Sequence, residues 1–163
     1  MELLDVYDKD RNKLDYIHVR SIVPKEGEYH LMAQVCVLDA RGRLLMTRRH
    51  PKKTWGGLWE ITAGCVLSGE ESFPAAMREL AEETGLCVTE EEMHPLFTRR
   101  ISDHHIDCYL VRLNKNGDDV RVTMQEGETT DYIWANDADI AHLREQGMIV
   151  SIAQQVIDYL KSL

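Results

Sequence analysis

Three glutamates recur at helical spacing near the middle of the chain. Glu79, Glu82 and Glu83 stand three and four residues apart, so a helix would place their carboxylates on one surface patch. Two carboxylates about 4 Å apart repel by roughly 1 kcal/mol in water and by about 4 kcal/mol at an effective dielectric of about 20. Arg78 can neutralise only part of this charge, whereas Mg²⁺ commonly binds one or two protein carboxylates together with substrate phosphates. The patch therefore predicts a site for a divalent cation and a phosphate-bearing ligand.

The segment around these glutamates has the features of a helix that docks on a sheet. The helix is predicted to begin near Ser72 and to end before Gly85, because glycine commonly caps a helix C-terminus. Apolar or small side chains recur on the side away from the glutamates, at Phe73, Ala76, Met77, Leu80, Ala81 and Thr84. One face of the helix is therefore expected to pack and the other to remain acidic.

Taken with the loop before it, this segment resembles the Nudix box, whose pattern is G-x5-E-x7-R-E-U-x-E-E-x-G-U with U an apolar residue. Every position is filled, by Gly64, Glu70, Arg78, Glu79, Leu80, Glu82, Glu83, Gly85 and Leu86. The alternative interpretation, a solvated acidic surface helix, would not require Gly64 and Glu70. The resemblance implies a Nudix-type α/β/α sandwich with a mixed β-sheet. It also implies hydrolysis of a diphosphate bond in a nucleoside diphosphate linked to another group.

The resemblance also implies roles for the residues of the box. The implied metal ligands are the carbonyl of Gly64 and the carboxylates of Glu79, Glu82 and Glu83. The implied ion is Mg²⁺, with Mn²⁺ as the alternative. Structural positions that brace the loop and the helix are Glu70, Arg78 and Gly85. A bound cation would neutralise the diphosphate and lower the pKa of a bound water, so that a nucleophile is available at neutral pH.

A carboxylate must also take a proton from the attacking water. In the family this base is either a glutamate of the box or a carboxylate on a later loop. Glu128 is the leading later candidate because it stands just before a predicted strand that ends at Trp134, and Glu126 and Asp131 are the alternatives. A solvated acidic loop is an equally good interpretation of any one of the three.

The flanks of the box resemble a second kind of Nudix protein, the type 1 isopentenyl-diphosphate isomerase. The segment LLMTRRHPKKTWGGLW is similar to that enzyme's basic, tryptophan-flanked segment. However, the positions that match its catalytic cysteine and a metal-binding histidine hold Gly64 and Val66 here. His30 matches another metal histidine, but the partner of that histidine would fall on Val23. A hydrolase is therefore favoured, with an isomerase-like activity and a non-catalytic nucleotide-binding module as the alternatives.

Basic and aromatic residues just before the box are candidate substrate contacts. Arg48 and Arg49 would bind phosphate oxygens, since the guanidinium fork matches their geometry. Trp55 and Trp59 would stack on a flat group such as a base, although a position in the core suits Trp59 equally well. Weaker candidates are Arg99, Arg100, His104 and His105.

The rest of the chain is predicted to form a sheet and further helices that position these residues. Predicted strands cover two runs within residues 3–20, then Leu31 to Leu38, residues 43–49, two runs within residues 94–113, and residues 129–136. A turn over Asp39 to Gly42 is expected to join the strands on either side of it as a hairpin, and the two runs within residues 94–113 are expected to form a second hairpin. Helices are predicted after Asn136 and over residues 149–160. Helices on both sides of a mixed sheet favour an α/β sandwich. No linker or repeat divides the chain, so residues 1–163 are expected to form a single domain.

Composition sets the expected partners and compartment. The 163 residues carry a formal charge of -9, from 28 acidic and 19 basic residues. A nucleic-acid polymer is therefore not an expected partner, because such binding depends on Lys and Arg neutralising phosphates. Neither a signal peptide nor an apolar stretch of membrane-spanning length is recognisable, so a cytoplasmic protein without a membrane partner is expected. The expected partner is a small diphosphate compound, and a homodimer would suit the Nudix resemblance.

Overall fold

The computed structural model describes residues 1–163 and contains nine β-strands and three α-helices. The strands are β1 (Leu3–Tyr7), β2 (Lys13–Val19), β3 (His30–Leu38), β4 (Leu44–Arg49), β5 (Trp59–Glu60), β6 (Thr62–Cys65), β7 (Met93–Ile101), β8 (His104–Arg112) and β9 (Thr129–Ala135). The helices are α1 (Ser72–Thr84), α2 (Asp137–Glu145) and α3 (Ser151–Lys161). This order confirms the predicted strand runs, the helix that carries the three glutamates and the closing helices.

Seven strands form one mixed sheet. Its main order is β5-β4-β3-β8-β7, with β6 also paired to β3 and β9 also paired to β4. Strands β3 and β8 run parallel, from His30 opposite His104 to Leu38 opposite Arg112. The predicted hairpin between β3 and β4 pairs only at Leu38 and Leu44, because the earlier part of β3 pairs with β6 and β4 pairs with β9. This divergence places β6 alongside the first half of β3.

The sheet separates two apolar cores. Alternate residues of β3 point to opposite faces, so Ala33 and Val35 join the core under α1 while Cys36 joins the core under α2 and α3. The three layers confirm the predicted α/β/α sandwich. None of the three helices is long and apolar enough to cross a membrane.

Helix α1 has the predicted bounds. Leu80 and Ala76 are fully buried against the sheet, and the glutamates lie on the other side of the helix. Gly85 ends the helix with a left-handed backbone (φ 71°), and its N–H donates to the carbonyl of Ala81 at 2.9 Å. A side chain is disfavoured at this φ, which explains the glycine.

The N-terminal hairpin of β1 and β2 forms a separate two-stranded sheet. It joins the main sheet through backbone hydrogen bonds between Tyr7 and Tyr29, and Nδ1 of His18 lies 3.0 Å from Nε2 of His30 on β3. The end of the hairpin, where Arg20 forms an ion pair with Glu2, reaches the edge of the sheet beside β6. No role at the site was predicted for this hairpin from its sequence.

Candidate active site

A narrow cleft of about 110 Å³ lies between the acidic face of α1 and the edge of the sheet. Its charged lining residues are Glu2, Arg20, Arg49, Lys53, Arg78, Glu79, Glu82, Glu83 and Glu128, and Ala63 and Gln125 complete it. The three predicted metal glutamates and the leading predicted base, Glu128, are thus brought together. We call this cavity the carboxylate cleft.

Glu83 is the most buried acid of the cleft, with only 9% of its surface exposed. The backbone N–H of Ala63 donates to its carboxylate, but Oε2 is buried and has no hydrogen-bond partner. Burial raises the pKa of Glu83 well above its ordinary value, and the negative charges of Glu60 and Glu79 add to the effect. A buried carboxylate with a free oxygen is costly unless a cation or a proton neutralises it.

Glu79, one helical turn before Glu83, and Glu82, directly before it, also line the cleft. Burial raises the pKa of Glu79, although the nearby Arg78 opposes the shift. Nη1 of Arg78 lies 2.6 Å from Oε1 of Glu79 and 3.3 Å from Oε2 of Glu82. A Cβ atom added at Gly64 would overlap the Glu79 carboxylate, so the glycine allows helix and strand to approach closely.

Arg78 also ties the helix to the loop before it. Its Nη2 donates to Oε2 of Glu70 at 2.9 Å and to the carbonyl of Cys65 at 3.1 Å. Glu70 in turn accepts the N–H of Leu67, and its pKa is lowered chiefly by the hydrogen bonds from Arg78. Through these contacts Glu70 and Arg78 link the loop to the helix.

Three cations face the carboxylates. Arg49 lies in the cleft, where its Nη1 is 2.7 Å from both carboxylate oxygens of Glu60. Lys53 comes from the loop after β4, and Arg20 comes from the end of the N-terminal hairpin. Neither Arg20 nor Glu60 was predicted from the sequence to lie at the site. Glu60 could have been recognised as a candidate site residue because it is a glutamate within the otherwise apolar segment around β5. Its burial raises the pKa of its carboxyl group.

Glu128 lies at the rim of the cleft and forms an ion pair with Lys53, with 2.5 Å between Nζ and Oε2. The backbone carbonyl of Glu128 also accepts the N–H of His50, so the Lys53 loop and the Glu128 loop are joined twice. The two alternative bases lie elsewhere. Glu126 is exposed outside the cleft, and Asp131 lines a separate open depression near Trp134.

The predicted substrate contacts divide into two groups. Arg49 and Trp55 line cavities at the site, and Trp55 is 53% exposed. Arg48 does not line either cavity, because its Nε donates to the carbonyl of Gly57 and holds the intervening loop. Trp59 is buried in the core under α2 and α3, so the structure shows the core position and not the stacking position that was its alternative.

The weaker candidates also lie outside the site. Arg99 stacks on the ring of Phe97, and Arg100 lies over the ring of Tyr29 while donating to the carbonyl of Lys9. His104 and His105 lie at the start of β8 and line none of the cavities described here.

The residues of the cleft fit a hard divalent cation, although they are not preassembled around one. No group of three His, Cys, Asp or Glu side chains is already arranged to hold a metal ion, since Arg78 occupies oxygens of Glu79 and Glu82. The donors are nevertheless all oxygens, as Mg²⁺ requires. The unpartnered Oε2 of Glu83 and the space that glycine leaves at position 64 are the two observations that favour the fit.

A second cavity of about 130 Å³ adjoins the carboxylate cleft, since Arg20, Arg49 and Ala63 line both. It lies on the α3 side of the sheet, and most of its walls are apolar. Its lining includes the side chains of Met32, Gln34, Trp55, Glu60, Ile61 and Ile152. We call this cavity the side pocket.

Comparison with known proteins identifies one matching family model and several similar proteins. The model of the NUDIX domain family matches residues 28–154. An uncharacterized Nudix hydrolase of Listeria monocytogenes is 28% identical over 152 residues, which is 92% of this chain and 89% of that protein. The CTP pyrophosphohydrolase of Escherichia coli is 27% identical over 100 residues, covering 61% of this chain and 71% of that protein. A crystal structure of a Deinococcus radiodurans protein superposes with a TM-score of 0.79 at 18% identity, covering 96% and 98% of the two chains.

Proposed function

This chain belongs to the Nudix family, and we propose that it is a Mg²⁺-dependent pyrophosphohydrolase that cleaves a diphosphate bond in a small nucleoside diphosphate-linked compound. Members of the family are hydrolases that act on pyrophosphate bonds, and the family generally uses divalent metal ions. The proposal concerns the identity of the ion and the class of the substrate.

The observation that carries the proposal is the composition of the carboxylate cleft. Glu79, Glu82 and Glu83 face Arg20 and Arg49 across one narrow space. A diphosphate carries several negative charges, so it needs cations on both sides, and the acidic wall can bind it only through a divalent ion. A cleft with carboxylates on one wall and guanidinium groups on the other meets both requirements.

In this proposal the protein's side chains bind and orient the substrate and accept a proton from water. When bound, the divalent cation neutralises the diphosphate and makes a water molecule more acidic. Glu79, Glu82, Glu83 and the Gly64 carbonyl would hold the cation. Arg20 and Arg49 would bind the non-bridging phosphate oxygens, which positions the phosphorus for attack.

Glu128 is the proposed general base. It would accept a proton at a carboxylate oxygen from the water that attacks phosphorus, while the bond to the leaving phosphate breaks. Its ion pair with Lys53 would hold the carboxylate at the rim of the cleft until substrate enters. The phosphate charge would then compete for Lys53 and free the carboxylate to act as base.

The nature of the substrate draws support from one relative. The Escherichia coli relative is named as a CTP pyrophosphohydrolase, which acts on a nucleotide. This match agrees with the expectation of a nucleoside diphosphate group but covers only part of this chain.

Isomerisation of isopentenyl diphosphate is the main competing function. It would need a reactive thiol and a histidine ligand beside the box. Cys65 lines the side pocket, but burial raises the pKa of its thiol, which disfavours a reactive thiolate. Val66, at the matching histidine position, is buried in the core under α1. Both observations favour hydrolysis over isomerisation.

A substrate screen tests the proposal. Nucleoside di- and triphosphates, sugar nucleotides, dinucleotides and isopentenyl diphosphate would be incubated with wild-type protein in Mg²⁺ and in EDTA. We expect Mg²⁺-dependent phosphate or pyrophosphate release from a nucleotide, lost in Glu83→Gln and retained in Glu91→Gln, since Glu91 is exposed outside the cleft. Turnover in Glu83→Gln equal to wild type, or dimethylallyl diphosphate as the only product, would exclude the proposal.

A further inference from the structure

The side pocket contains a buried amide with an unused hydrogen-bond acceptor. Gln34 on β3 is only 2% exposed, and its Oε1 is buried without a hydrogen-bond partner. A buried acceptor without a donor is unfavourable, so a polar residue at such a position calls for an explanation. The side chain lines the side pocket.

No neighbour in the sheet can satisfy this amide. Ala63 of β6 and Cys108 of β8 lie directly opposite Gln34 on the two adjacent strands and therefore share its face. Met32 and Cys36, two residues away along β3, also face that side. None of the four side chains offers a strong hydrogen-bond donor. The two guanidinium groups that line the side pocket, Arg20 and Arg49, already donate to Glu2 and Glu60. A molecule that occupies the side pocket can therefore supply the donor that Gln34 lacks.

The size and lining of the side pocket restrict that molecule. Its volume is about 130 Å³, and an apolar protein cavity of about 150 Å³ holds one benzene molecule. One six-membered ring therefore fits inside, whereas a fused two-ring system would have to extend out of the open side of the pocket. Met32, Ile61 and Ile152 provide apolar walls, and the exposed ring of Trp55 is available to stack on a flat group.

Glu60, the acidic side chain of the pocket, is already paired. Both carboxylate oxygens of Glu60 bond to Arg49, so Glu60 is not free to select a ligand. A carboxamide, by contrast, presents a donor and an acceptor side by side. It matches the edge of a base that offers an adjacent acceptor and donor, as glutamine does with adenine in nucleic-acid complexes.

We propose that the side pocket binds a single-ring base of the pyrimidine type and that Gln34 selects it through its amide. The inference rests on the proposed function, because the base would belong to the nucleotide whose diphosphate occupies the adjoining carboxylate cleft. Arg49, which lines both cavities, would then contact the phosphate end of the same molecule.

Kinetics of Gln34→Met test the inference. The probes are CTP, ATP and inorganic triphosphate, which carry one ring, two rings and no base. Wild type is expected to favour CTP over ATP by at least about 10-fold in kcat/KM. The variant is expected to raise KM for CTP by about 10- to 100-fold and to leave hydrolysis of inorganic triphosphate unchanged. The matched control is Gln155→Met, the same substitution at an exposed position of α3 outside both cavities, and it should change neither.

Several results would overturn the inference. Equal rates with CTP and ATP would contradict the single-ring pocket, and an equal loss with all three probes would show that Gln34 only shapes the site. An unchanged KM for CTP would mean that water satisfies the amide. Thermal unfolding serves as the folding control, and Gln34→Met should be at least as stable as wild type, since it removes a buried unpaired acceptor.

Failure of the proposed function can be distinguished from failure of this inference. If no probe is hydrolysed, calorimetric titration with cytidine 5′-monophosphate in EDTA still measures occupancy of the side pocket. Tighter binding to wild type than to Gln34→Met supports the inference independently of turnover. Equal binding by the two proteins, or none, overturns it.

Discussion

Gly64 of β6 faces the carboxylate of Glu79 so closely that a Cβ atom at position 64 would overlap it. The backbone of Gly64 does not have a positive φ, so its lack of a side chain serves close approach and not an unusual turn. The added Cβ atom would contact the carboxylate at the end of the flexible Glu79 side chain, which can move away. A substitution here therefore displaces the carboxylate before it disturbs the fold.

Gly64→Ala is accordingly expected to lower kcat/KM by about 100-fold or more, because displacement of a reacting group by about 1 Å can have that effect. Its thermal unfolding midpoint should stay close to that of wild type. Steady-state kinetics and a thermal scan check both expectations. The control is Cys87→Ala at an exposed position outside both cavities, which should retain full hydrolase activity. Full activity of Gly64→Ala would show that Glu79 is not needed where it lies.

Glu83→Gln is expected to stabilise the protein when no divalent cation is present. The pKa of Glu83 is higher in the folded chain than in the unfolded chain. The folded state therefore binds more protons, and its stability falls as the pH rises above about 4.5 towards the folded-state pKa. The glutamine variant does not titrate and escapes this loss at neutral pH.

Thermal scans of wild type and Glu83→Gln, with EDTA and with Mg²⁺, measure this effect. Each kcal/mol of stabilisation corresponds to a shift of about 2–4 °C for a chain of this size. Mg²⁺ should raise the midpoint of wild type much more than that of the variant. A variant that is less stable than wild type in EDTA would show that the buried carboxylate does not destabilise the fold.

Glu128→Gln is expected to reduce kcat by about 10²- to 10⁴-fold with a small change in KM, as for loss of a general base. Lys53→Met removes the partner of Glu128 and should mainly raise KM, since the lysine is proposed to meet phosphate. An equal loss of kcat in the two variants would assign Glu128 to an ion pair that only positions the loops.

The histidines that join the N-terminal hairpin to the sheet should make the fold sensitive to acid. Burial, together with the neighbouring His104 and His18, lowers the pKa of His30 from 6.5 to about 4. The unfolded chain therefore binds more protons between these pH values. The stability present above pH 6.5 is lost as the pH falls to about 4.

Urea unfolding at a series of pH values between about 7 and about 4.5 measures this loss of stability. His30→Gln keeps a side chain that can hydrogen-bond to His18 but does not titrate, so its stability should decline less steeply with acid. Identical slopes for the two proteins would indicate that other groups account for the acid sensitivity.

The helices, the strands and the acidic face of α1 were predictable from sequence because each depends on the spacing of residues that are close together in the chain. Helical spacing places Glu79, Glu82 and Glu83 together whatever the rest of the chain does, and Gly85 ends the helix through its own backbone conformation. The strand runs were also recognisable from their apolar pattern. Pairing was less predictable, since the turn after Leu38 indicated a full hairpin with β4, whereas β6 competes for the same edge of β3.

The other wall of the cleft depends on contacts between distant parts of the chain. Arg20 comes from the N-terminal hairpin and faces glutamates about sixty positions later. No local sequence pattern predicts a contact between residues so far apart in the chain. Arg48 and Arg49 are neighbours in sequence, but alternation along β4 sends only Arg49 into the cleft. Trp59 looked equally suited to the core and to substrate, and the pairing of β5 with β4 buried it.

The position of a bound ion tests the central claim most directly. In a crystal soaked with Mn²⁺, the strongest anomalous difference peak is predicted within coordinating distance of Glu83 and Glu79, with Arg78 moved off the carboxylate of Glu79. The same soak of Glu83→Gln crystals should weaken or abolish that peak. A well-occupied peak elsewhere in the protein, with the carboxylate cleft empty in the wild type, would contradict the account.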